Sequence, residues 1–177
     1  MIKKNLFLLA AFVTIAFHPL SSIYSIDILT LDGATVNLGS FTGKKIIIIE
    51  FDATSYDKAQ LGLLDSLQKA NEEAVVIATP AKDFGNAVST QSIKNIITDQ
   101  KLSFIMTQPL FVSRSAGKNQ HPLFKWLTDV NENIHFNYDA DHPGQIFMVN
   151  EAGELYALLY KEASADIVKE AATEKTN

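Results

Sequence analysis

The chain has 177 residues, 47% of them hydrophobic, with 15 Lys and Arg against 20 Asp and Glu for a formal charge of −5. That suits one domain with a real core and excludes a disordered tail; the acidic balance argues against binding a nucleic-acid backbone. There is no cysteine, which removes disulfides, thiolate metal sites, cysteine nucleophiles and thiol redox cycling together.

In chain order, Lys3 and Lys4 form a short cationic segment ahead of the apolar run Leu6–Phe17, and Pro19, Ser21 and Ser22 follow. This is the layout of a secretory signal peptide over residues 1–22, with cleavage expected after Ser22. A membrane anchor is the competing reading, but a span needs about 20 apolar residues and Pro19 ends this run early. Lipidation at the cleavage point is excluded because it requires a cysteine. The mature chain, residues 23–177, would keep 13 of the cations against all 20 acids, a charge of −7.

No repeat or linker divides residues 23–177, so one domain is expected. Alternation over 26–30 and 35–38 about Asp32-Gly33 predicts an N-terminal hairpin. The run Ile46–Ile49, continuing to Phe51, predicts a central strand covered on both faces. Leu61, Leu64 and Leu67 predict a helix over 57–70, and Ala74–Thr79 the next buried strand, completing a strand–helix–strand unit. Further helices are expected over 88–99, 122–130 and 163–173, a short strand over 103–107, and a closing hairpin from 145–149 and 154–159. Leu110-Phe111 reads as buried within a polar connection. The class is α/β, a mixed sheet flanked by helices.

Pro109-Leu110-Phe111, then Gly117-Lys118-Asn119-Gln120-His121-Pro122-Leu123-Phe124-Lys125-Trp126-Leu127, resembles a run shared by glutathione peroxidases, a branch of the thioredoxin-like fold. Leu31-Asp32-Gly33, Phe41-Thr42-Gly43-Lys44, Asp83-Phe84-Gly85 and Gln145–Val149 with Gly153 are similar to other family segments in the right order. The resemblance implies a thioredoxin-like fold with an N-terminal hairpin. It also implies a thiol or selenol peroxidase, whose nucleophile is supported by glutamine, tryptophan and asparagine. Here the corresponding positions are Ser55, Asp83, His142 and Pro143, and all four depart. A second alignment, in which Phe51-Asp52-Ala53-Thr54 is similar to the start of the disulfide-reductase motif, puts Tyr56 and Ala59 at the two cysteines.

A serine cannot pass through a sulfenic acid, and its alkoxide forms with difficulty near neutral pH. Asp83 would set a carboxylate where a neutral donor is expected. Ser55, His142 and Asp83 could instead be a hydrolase triad, but no G-x-S-x-G elbow is present and Pro143 offers no N–H to an oxyanion. The alternative is a vestigial pocket of solvated polar groups. His135, Asp139, Asp141 and His142 form the densest ligand-type cluster, although H-x3-D-x-D-H matches no established metal motif. His121, before Pro122, is expected to cap or pack a helix start, and Trp126 belongs to the core stripe.

The expectation is an exported, glutathione-peroxidase-like protein without peroxidase activity, a binding or structural module needing no cofactor and no metal. Its partner would be a protein or small ligand, with neither nucleic acid nor a stable membrane span after signal removal. Its place would be periplasmic or extracellular. The competing expectation is a peroxidase-family enzyme of the oxidative-stress response, or non-thiol chemistry at Ser55, Asp83 and His142. A shared surface at those residues, with Asp52 and Asp141 at its rim, would be acidic and would disfavour glutathione or phosphate.

Overall fold

The structure, a computed structural model, describes residues 22–174. The cationic and apolar segments of the expected signal peptide lie outside the described residues. A 3-10 turn at Ile23–Ser25, capped by the Ser22 hydroxyl, leads into the hairpin β1 (Asp27–Leu29) and β2 (Thr35–Asn37).

The central strands follow from their composition. β3 (Lys45–Phe51) and β4 (Ala74–Pro80) are buried along their whole length, and the side chains Ile46–Ile49 are fully enclosed. Each such isoleucine contributes roughly 1.5–3 kcal/mol of burial. The two strands run parallel, joined by α1 (Lys58–Ala70). α2 (Thr90–Gln100) leads to β5 (Ile105–Met106), parallel to β4. α3 (Pro122–Thr128) and the single turn α4 (Val130–Asn133) precede β6 (Ile146–Val149), β7 (Leu155–Leu159) and α5 (Ala165–Thr173). The sheet order is β5-β4-β3-β6-β7, with β6 antiparallel to β3 and to β7. One face packs on α3 and the N-terminal turn through Phe124, Leu127, Ile23 and Phe147. The other packs on α1, α2 and α5 through Leu61, Leu64, Ile93 and Val168.

Five expectations change. The strand expected over 103–107 shrinks to two residues, because the Ser103 N–H and hydroxyl donate to Asp65 Oδ1 at 2.6 and 2.8 Å and hold that end against α1. The helix expected over 122–130 stops at Thr128. Asp129 takes extended backbone and caps α4 instead, accepting from Asn131 N at 2.9 Å. The helices expected from 88 and 163 begin later because Ser89 and Ser164 act as their N-caps. Phe111, expected to be buried beside Leu110, is 37% exposed.

Candidate functional site

Loops leaving the C-terminal ends of β3 and β4 carry Ser55 and Asp83, and the segment between α4 and β6 carries His142, Pro143 and the metal candidates. After β3 the chain folds at once into a tight turn. Asp52 Oδ1 accepts from Thr54 N and Thr54 Oγ1 at 2.8 and 2.6 Å, and Ser55 N donates to Asp52 O at 3.1 Å. Asp57 then caps α1 by accepting from Ala59 N and Gln60 N. The positive end of that helix therefore meets a carboxylate from its own chain, two residues after the Ser55 hydroxyl. Ser55 is exposed, and its hydroxyl makes no hydrogen bond among the described residues.

Ser55 and Pro143 line the same depression, with Asp52, Asp57 and Lys161 around it; its volume is about 10 Å³, room for about one water. His142 lines the adjoining hollow with Tyr160, Lys161 and Glu162, and its Nδ1 lies 2.5 Å from Asp141 Oδ1 on the open surface.

Asp83 is committed elsewhere. Its Oδ2 accepts from Val112 N and Ser113 N at 3.0 and 2.6 Å, and it lines neither of those hollows. Ser55, Asp83 and His142 therefore share no common hollow and no hydrogen bond with one another among the described residues. Gly85, at φ +62°, explains how the two loops meet: a Cβ there would fall 2.3 Å from Asp52 Oδ1.

The metal candidates also separate by role. Asp139 accepts from Arg114 N at 2.8 Å and from the Ser113 hydroxyl at 3.3 Å, Asp141 pairs with His142, and His135 is exposed. Among the described residues no group of three or more His, Cys, Asp or Glu is arranged to hold a metal ion. Arg114 reaches the Thr128 carbonyl and, at 2.7 Å, Asn137 Oδ1, so the strongest cation of this region is a clamp for the segment after α4. His121 is the N-cap of α3, its Nδ1 accepting from Leu123 N at 3.2 Å with Pro122 in the first turn. Burial holds this imidazole below its ordinary range, consistent with a neutral acceptor ring.

Beneath these loops lies a feature that strand periodicity does not reveal. Gln145, Glu50, Thr79 and Thr107 stand side by side across four neighbouring segments, all buried. Gln145 N donates to Glu50 Oε1 at 3.3 Å, and Thr107 Oγ1 donates to Thr79 Oγ1 at 3.2 Å. Gln145 Oε1 in turn accepts from Asp141 N and His142 N. Burial pushes the Glu50 carboxyl well above the usual carboxylate range, against the lowering effect of its backbone hydrogen bonds, and the nearby Asp141 charge adds to the rise. Its Oε2 is buried without a hydrogen-bond partner. The sequence signal is one acid between Ile49 and Phe51 in an otherwise apolar strand.

Solved structures with this architecture are numerous, and three illustrate the match. Trgpx in its apo form superposes with a TM-score of 0.67 at 16% identity, covering 86% of this chain and 93% of its own. GPX1 of T. cruzi gives 0.63 at 16% identity, covering 85% of this chain and 93% of its own. A thiol:disulfide interchange protein of the thioredoxin family from Chlorobium tepidum TLS gives 0.63 at 13% identity, covering 89% and 97%. The fold is thioredoxin-like.

Glutathione-peroxidase-like and thioredoxin-family proteins are thus both structural neighbours of this thioredoxin-like chain. No protein-family model matches the sequence, and no curated protein matches it. Among the described residues no helix of the thioredoxin-like domain is long and apolar enough to cross a membrane.

Proposed function

We propose that this is an exported, glutathione-peroxidase-like protein without peroxidase activity, serving as a non-catalytic binding module. One observation carries the reading: the chain has no cysteine, and the aligned Ser55 offers a hydroxyl with no hydrogen-bonded base beside the carboxylates of Asp52 and Asp57. Peroxide reduction requires an atom that is oxidised by the peroxide and then reduced again, and oxygen in a serine side chain has no such cycle. The carboxylates also oppose any anion developing at Ser55. Export, with residues 1–22 as the signal peptide and a periplasmic or extracellular destination, is supported by Lys3, Lys4 and the apolar run that follows.

The test is a coupled assay with hydrogen peroxide and either glutathione or thioredoxin as reductant. Purified protein is expected to match the buffer blank. Turnover that disappears in Ser55→Ala would overturn the reading in favour of an enzyme working at that position.

A further inference from the structure

Beyond the 52–55 turn from the Ser55 depression lies a different kind of cavity. It occupies about 340 Å³ at the end of β4, with Ala53, Pro80, Val88, Ile93, Pro109 and Phe111 among its apolar walls. No Asp or Glu lines it; its polar lining is Lys82 and Asn86. The Lys82 ammonium stands 5.3 Å from the centroid of the half-exposed Phe111 ring and has no carboxylate partner among the described residues. In a chain of charge −5 this is a cation held at an apolar cleft with its charge unspent. The aromatic face attracts it without occupying its N–H donors.

The walls are preformed. Lys82 N donates to Leu110 O at 2.7 Å and Leu110 N to Pro80 O at 3.0 Å, which ties the β4 exit to the Pro109–Phe111 wall. The Asn86 amide makes no side-chain hydrogen bond among the described residues, so it can donate to a ligand beside Lys82. Small-molecule sites have this composition, apolar walls with a few polar groups that fix orientation.

We infer that this cleft binds a small monocarboxylic acid with an aromatic or branched aliphatic body. The carboxylate meets Lys82 and Asn86, and the body lies along Val88, Ile93 and Pro109. The inference rests on the binding-module reading and gives that module a ligand class, on the side of the 52–55 turn where no acid lines the cavity.

The experiment is an NMR titration of the ¹⁵N-labelled protein with 3-phenylpropanoate, repeated with 3-phenylpropanamide and with acetate. Saturable shifts are expected at Lys82, Ala87 and Phe111, with the amide about fivefold weaker and acetate without effect. Lys82→Gln should weaken the acid about fivefold and leave the amide unchanged. Ala87→Phe, which fills the cleft from an exposed position, should abolish both while preserving the spectrum. Absence of saturable shifts, shifts at Ser55 and His142 instead, equal affinity for acid and amide, or indifference to Lys82→Gln would each overturn the site. Peroxide turnover would overturn the non-catalytic reading and leave this titration standing; a flat titration without turnover would remove only the cleft.

Discussion

Single side chains decide what the aligned site can do. Ser55→Cys supplies a thiol, but Asp52 and Asp57 disfavour its thiolate and the depression is about 10 Å³. That variant is expected to show little peroxide turnover in the coupled assay, and substantial rescue would show that the surrounding carboxylates matter less than their placement suggests. Glu50 makes a separate prediction. Its carboxyl is raised by burial in the folded state, so its contribution is full below the unfolded carboxylate range and is lost as pH rises through the folded value. Glu50→Gln is therefore expected to raise stability at pH 8 and to change little at pH 4. Urea denaturation at the two pH values checks the sign. His121 works in the other direction. Lowered by burial, it contributes above the ordinary histidine range and loses that contribution as pH falls through its depressed value, so His121→Asn, which replaces the Nδ1 acceptor with an N-cap oxygen that does not titrate, should flatten the acid limb.

At the level of elements, the polar contacts of the loops are structural before they are chemical. Asp83 holds the amides of Val112 and Ser113, and Gly85 lets its loop close on Asp52. Asp83→Ala is expected to cost about 1–3 kcal/mol in chemical denaturation while leaving peroxide turnover at the blank. An unchanged midpoint would show that water replaces the carboxylate at those amides. Most elements were legible because periodicity reports burial directly: Ile46–Ile49 and the Leu61, Leu64 stripe could pack in few other ways. The breaks at Asp129 and Ser103 were not, since each depends on whether a short polar side chain finds a backbone donor or a distant acid. Glu50 was illegible for a related reason. Its neighbours Gln145, Thr79 and Thr107 come from segments far apart in the chain, and only the strand register brings them into one row. Lys45, the first residue of β3, is buried, and its ammonium lies 4.5 Å over the Tyr156 ring. Burial, with Glu151 and Glu174 adding to it, pushes that phenol up to about 12.

Across the whole molecule, the architecture is shared with glutathione-peroxidase-like and thioredoxin-family structures, and the chain has no cysteine. Export predicts that intact-mass measurement on protein from its native host finds a species beginning near Ile23; a full-length cytoplasmic species would refute it. The N-terminal turn adds a constraint on timing. Ile23 is fully enclosed in the core, and the Ser22 carbonyl accepts from Ser25 N at 3.0 Å and Ser25 Oγ at 2.7 Å, so the bond following Ser22 sits inside ordered backbone. Proteases cut segments that can be drawn out of the fold. Cleavage after Ser22 would therefore have to precede folding, and a precursor that folded first would be locked against maturation by its own core.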